Sequence, residues 1–180
     1  QLESFNKISS TGSFDIIVRS GEQQKILITI DDNLTELIET KVDNNTLTIT
    51  SKGSFCSQST CKFVISVPEL EMVSLFGSGD VEVINLDANS FAYLLSGSGD
   101  LKAFGKVKEL ELNIAGSGEI DTRELIAEDA IVHISGSGHI KVYANEYLNG
   151  HINGSGNIYY YGNPEYISSH ISGSGSIKKK

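Results

Sequence analysis

The 180-residue chain contains no tryptophan, two prolines, two cysteines, one methionine and two arginines, Arg19 and Arg123. No apolar run approaches the ~20 residues that a membrane-spanning helix needs, so no transmembrane segment is expected in this chain. Fourteen Lys and Arg against 23 Asp and Glu leave a net charge of −9. The clustered cations that neutralise a nucleic-acid backbone are therefore missing, and no nucleic-acid partner is expected. The acidity is uneven: residues 71–140 carry twelve acids against four bases, and residues 141–180 two acids against four. A solvated acidic flank accounts for the former. With 39% apolar and 21% charged residues, the composition is that of a folded soluble domain long enough to bury a core. The first residue, Gln1, is not Met, as in a mature or trimmed product.

Glycine is the residue in excess, and its placement is periodic. The triplet Gly-Ser-Gly begins at Gly77, Gly97, Gly116, Gly136, Gly154 and Gly173, at intervals of 20, 19, 20, 18 and 19 residues. Two positions before each triplet stands an aliphatic residue: Leu75, Leu95, Ile114, Ile134, Ile152 and Ile171. Four positions after its first glycine stands another, from Val81 to Ile177. Between them, Asp80, Asp100, Glu119, His139, Asn157 and Ser176 are all polar. Such period-two alternation predicts strands facing one core.

A repeat of 18–20 residues predicts stacked rungs about 4.8 Å apart, an all-β parallel β-helix of about six rungs and roughly 24 Å tall. Right-handed winding is the expectation for parallel crossovers. By parity, both glycines of a triplet fall on the core-facing side of a tight bend, where a side chain would crowd the corner. Gly77, Gly79, Gly97, Gly99, Gly116, Gly118, Gly136, Gly138, Gly154, Gly156, Gly173 and Gly175 are thus read as structural turns.

Residues 1–70 follow a different pattern and are expected to form a hairpin-rich part covering one end of the 71–180 stack, within one continuous unit. "FDIIVRSGEQQKILITI" reads as two strands of one hairpin and "KVDNNTLTIT" as a second hairpin. "NLTELIETKV" includes a short helical turn, and Pro68 marks the entry to the first regular rung. Cys56 and Cys61 flank a polar loop. A disulfide there would imply an oxidising compartment, two thiols are the other reading, and zinc would need ligands that are not nearby.

A phosphate loop is excluded by the missing G-x-x-x-x-G-K-[ST]. Calcium is disfavoured because the post-triplet position is acidic in only three rungs, leaving Asp80 and Asp100 as a weak cation alternative. Asp100 and Glu119 could stand at glycosidase spacing, but any acidic β-helix meets that test, and Arg123 beside Asp121 and Glu124 reads as a surface ion pair. His133, His151 and His170 each precede a triplet by three residues and should stack in an outward column. A polar ladder is favoured there over a transition-metal site, since no carboxylate or Cys completes the set. Six of the seven tyrosines lie between Tyr143 and Tyr166. Tyr159, Tyr161 and Tyr166 are the candidate binding residues, through rings turned outward.

"GSFDIIVRSG", "NLTELIETKV…LTIT" and "SGSGDLKA", in this order and followed by the remaining triplets, resemble the bacterial family of the putative auto-transporter adhesin, head GIN domain. The resemblance covers nearly the whole chain and implies an extracytoplasmic protein, in the periplasm, on the outer-membrane surface or secreted. It further implies a β-helix body related to pectin-lyase-like and acyltransferase-like helices but lacking their catalytic residues. The Cys56–Cys61 pair is not part of that pattern. The expectation is a non-enzymatic adhesion or scaffold domain without cofactors, contacting a cell-surface protein or glycan and able to self-associate at the C-terminal end of its stack. The alternative is a carbohydrate-active β-helix that binds or cleaves a polysaccharide.

Overall fold

A computed structural model describes residues 3–30, 36–52 and 61–180. It is all-β. Strands β1 (Lys7–Gly12), β2 (Asp15–Ser20), β3 (Lys25–Thr29), β4 (Ile38–Asp43), β5 (Thr46–Ser51), β6 (Lys62–Val67) and β7 (Met72–Gly77) are short. The long strands β8 (Val81–Gly97), β9 (Leu101–Gly116), β10 (Glu119–Gly136) and β11 (His139–Gly154) each run round most of a rung. β12 (Asn157–Tyr161), β13 (Tyr166–Gly173) and β14 (Ser176–Lys179) complete the chain.

The long strands stack in parallel with the triplets in register, Gly77 opposite Gly97, Gly97 opposite Gly116, and so on to Gly154 opposite Gly173. The alternation read from the sequence is what makes this possible. Leu75, Leu95, Ile114, Ile134 and Ile152 are at most 2% exposed on one leg, and Val81, Leu101, Ile120, Ile140 and Ile158 are equally covered on the next. At ~1.5–3 kcal/mol per buried aliphatic side chain, this single interior column dominates the stability. The chain is a parallel β-solenoid.

The first 70 residues enter the same stack by a less direct route. β1 pairs in parallel with both β5 and β7, and β2 with both β6 and β8. The rung formed by β1 and β2 therefore lies between the β5–β6 rung and the first Gly-Ser-Gly rung, although β5 and β6 come later in the chain. β4 and β3 then run antiparallel to β5 and β6 on the far side. The β4–β5 connection is the hairpin expected from "KVDNNTLTIT", with Asn44 and Asn45 at φ 48° and 60°, as a type I′ turn requires. β2 and β3 are not one hairpin. Each pairs with β6 instead, one in parallel and one antiparallel. Their alternation was legible, but the non-local strand that separates them was not. Of "NLTELIETKV", positions 36–37 form a short 3₁₀ stretch and the rest of its described part is β4.

Candidate functional site

The triplet corner repeats along the solenoid, with outward columns on the leg before it and on the leg after it. At the corner, the Ser98 N–H donates to the Gly77 carbonyl at 3.0 Å, and Ser117, Ser137, Ser155 and Ser174 donate likewise to the rung behind at 2.9–3.0 Å. A Cβ at Gly97 would meet that same Gly77 oxygen, and Gly97 holds φ at +150°. Gly99 is buried, and a Cβ there would meet the Gly79 carbonyl and the Leu75 side chain. The crowding is therefore mainly along the stacking axis, backbone against backbone, and not only inward as parity suggested.

One corner escaped the sequence reading. Gly12, at φ +141°, lies opposite Gly77, and Asp15 and Ile16 follow it at the positions of Asp80 and Val81. Phe14 replaces the second glycine and is fully buried, its ring edge-on to Phe63 at 5.5 Å. Ser10 takes the aliphatic position, so the pattern was masked twice, and its buried hydroxyl has no partner among the described residues. The surviving signal was "GSFDI" against "GSGDV".

The post-triplet residues form a hydrogen-bonded ladder. Asp15 Oδ1 accepts from the Asp80 N–H at 3.3 Å, Asp80 Oδ1 from Asp100 N–H at 3.1 Å and Asp100 Oδ1 from Glu119 N–H at 2.8 Å. Farther along, His139 Nδ1 accepts from Asn157 N–H at 3.2 Å, and Asn157 Oδ1 from the Ser176 hydroxyl at 2.7 Å. Any acceptor of the right reach serves, which explains why Asp gives way to His and Asn. The carboxylates of Asp80 and Asp100 are thus engaged by the next rung. Among the described residues, no three His, Cys, Asp or Glu side chains converge as a metal site.

A second ladder stands five residues after each first glycine. Glu82, Lys102, Asp121, Lys141, Tyr159 and Lys178 face one another rung by rung. Charge alternates until Tyr159 takes its place between two lysines. Arg123 forks onto Asp121 at 2.6 and 2.9 Å, and its hydrogen bonds hold the Asp121 carboxyl below the usual range. Lys141 pairs with Glu119 at 2.6 Å, which raises the lysine pKa. Asp100 and Glu119, the candidate glycosidase pair, are therefore both occupied, one with a backbone N–H and the other with a lysine.

The tyrosine candidates divide. Tyr159 and Tyr161 are half-buried neighbours on β12, under Lys180 at 5.2 Å and Arg123 at 5.8 Å respectively. Tyr166 begins β13, across a corner, opposite Tyr147, and is 63% exposed. Alternation alone could not reveal that corner.

On the leg before the triplet, His133, His151 and His170 face one another in register. The His133 and His151 rings stack at 4.9 Å and 16°, and His151 and His170 are tilted at 6.0 Å and 44°. The stacked His133 and His151 rings direct their nitrogens side by side, not onto one common ion. Burial first, then the neighbouring His151, holds the His133 pKa below its ordinary value, against an opposing pull from Glu111. Cys61 is buried, and burial followed by Asp15 pushes its thiol up to about 11. Cys56 lies outside the described residues, as does its pairing. Among the described residues, no helix is long and apolar enough to cross a membrane.

These features define a parallel β-solenoid whose outward groups are organised as ladders along its axis. The chain belongs to the family described as "Putative auto-transporter adhesin, head GIN domain", whose model matches residues 4–164. It is similar to a "putative adhesin" from Bacteroides fragilis, 26% identical with a TM-score of 0.79, over 99% of this chain and 94% of that one. A "putative lipid binding protein" from Parabacteroides distasonis is 28% identical with a TM-score of 0.62, over 100% and 94%. A "putative adhesin" from Parabacteroides merdae, 19% identical with a TM-score of 0.53 over 99% and 93%, shares the fold. No curated protein matches the chain.

Proposed function

We propose that the chain is a non-enzymatic adhesion or scaffold domain of the bacterial cell envelope, working in the periplasm, on the outer-membrane surface or after secretion. The observation that carries this reading is the fate of the ionisable groups. Asp80, Asp100, Glu119, Asp121, Lys141 and Arg123 bond to the adjacent rung or to each other, which favours a rigid display surface over a reactive cleft. The descriptions of the B. fragilis and P. merdae proteins as adhesins support the same role. Aliphatic side chains fill the space between the legs, which disfavours the lipid binding by which the P. distasonis protein is described.

Tyr159, Tyr161 and Tyr166 are the contact residues of this reading, offering amphipathic rings near one end of the stack to a cell-surface protein or glycan. The free side of β13, with Ile167 and Ile171 at 49% and 43% exposure, is the surface for self-association. Residues 1–70 and 71–180 act as one continuous unit, the former closing the other end.

Beads coated with the protein should adhere to bacterial or host-cell surfaces. Replacing Tyr159, Tyr161 and Tyr166 together with Ala should reduce adhesion several-fold. Adhesion no greater than that of albumin-coated beads would refute the reading, as would release of sugar products from polysaccharides incubated with the protein.

A further inference from the structure

The outward face of the leg before the triplet carries hydrogen-bonding groups that the solenoid itself leaves unused. Short side chains one residue before the triplet (Ala115, Ser135, Asn153 and Ser172) run beside the longer side chains two residues earlier (Asn113, His133, His151 and His170). The step in side-chain length produces a trough of about 440 Å³ along the solenoid axis. Among the described residues no Asp, Glu, Lys or Arg lines it, in a chain that is 21% charged.

The contrast with the post-triplet ladder is direct. There, five acceptors bond to the rung beside them. In the trough, the three imidazoles and the side chains of Ser135, Asn153 and Ser172 have no hydrogen-bond partner among the described residues; the imidazoles meet only each other, ring to ring. Asn113 donates to Glu111 at 2.9 Å, which engages the carboxylate on the flanking column.

We propose that this trough binds a neutral, hydroxyl-rich saccharide chain lying parallel to the solenoid axis, across His133, His151 and His170. Each sugar hydroxyl both donates and accepts, and so do serine, asparagine and a neutral imidazole. Here those groups recur on the three rungs of His133, His151 and His170, about 4.8 Å apart. The lowered pKa of His133 keeps that ring neutral at pH 7, with one donor and one acceptor. A peptide strand could pair only with the free side of β13, at the end of the trough, because the backbone of β11 is paired on both sides. An anionic polymer would need cations that the lining lacks. The role of this site in attachment rests on the adhesion reading, but it occupies a different leg from Tyr159 and Tyr161, so the two can fail separately.

The test is affinity electrophoresis of the full chain through gels containing dextran, galactomannan, soluble starch or polygalacturonate. At least one neutral polymer should retard the protein, and it should shift the His133 and His151 ring signals in NMR spectra. The His133→Ala/His151→Ala/His170→Ala variant should bind at least tenfold more weakly. So should Ser135→Leu/Asn153→Leu, which fills the trough and leaves the imidazoles in place. Lys52→Ala, at an exposed side chain far from the trough, should bind as wild type. The proposal is overturned if no neutral polymer retards the protein, if only polygalacturonate does, or if both trough variants bind undiminished. Should the triple-histidine variant fail to fold, the Ser135/Asn153 variant alone decides.

Discussion

The carbonyl oxygen of Gly77 accepts the Ser98 N–H at 3.0 Å and occupies the place where a Cβ on the intervening Gly97 would have to go. Closing the corner bond and carrying a side chain are therefore mutually exclusive. Gly97→Val must break that bond and also leave φ +150°. Strain and overpacking each cost about 1–3 kcal/mol, so a loss of at least about 2 kcal/mol is expected. Ser98 contributes its backbone and exposes its side chain, so Ser98→Ala should cost less than about 0.5 kcal/mol. Urea denaturation of both variants checks the difference; equal losses would contradict the corner geometry.

The post-triplet ladder makes a milder prediction. Asp100→Ala removes the acceptor of the Glu119 N–H and should destabilise by about 1 kcal/mol. Asp100→Asn keeps an oxygen there and should recover most of the loss. Because a carboxamide suffices, excess chelator should leave the melting temperature of the wild type unchanged.

Acid should weaken the imidazole column. His133 titrates lower in the folded chain than in the unfolded one, where its value is about 6.5. The unfolded chain thus binds more protons in that interval. Stability is intact above about pH 6.5 and falls as pH drops through the lower folded value. The ring is partly exposed, so screening limits the effect to roughly a few tenths of a kcal/mol. Melts at pH 8 and pH 5 should show a smaller acid loss for His133→Asn than for wild type. Equal losses would mean that the column carries no such linkage.

The lysines beside the last strands should keep copies apart. Lys178, Lys179 and Lys180 are exposed next to the free sides of β13 and β14. Charged residues at a sheet edge discourage strand addition. Deleting the three should raise the sedimentation coefficient with concentration, whereas an unchanged monomer would argue against an available edge.

Cys61 should be inert while the chain is folded. With its thiol pushed up to about 11, little thiolate exists at pH 8. In a Cys56→Ser variant, alkylation should be slow in native buffer and at least tenfold faster in denaturant.

Near-neighbour information was enough for the rungs. The aliphatics flanking each triplet, the polar residue after it and the register of His133, His151 and His170 depend only on offsets within one repeat, and strand alternation converts such offsets directly into faces. Family membership was legible for the same reason, in "GSFDIIVRSG" and "SGSGDLKA". Tertiary structure decided what depends on partners distant in the chain. β6 separates β2 from β3, because parallel pairing leaves no local turn signal. The rung at Gly12 is recognisable only beside Gly77, since Phe14 fills the interior where later rungs place glycine. Tyr166 parts from Tyr159 and Tyr161 at a bend that alternation does not register. The alternating column from Glu82 to Lys178 had a fixed offset in the sequence, yet its opposite charges face one another only because stacking brings residues about twenty apart to one spacing between strands.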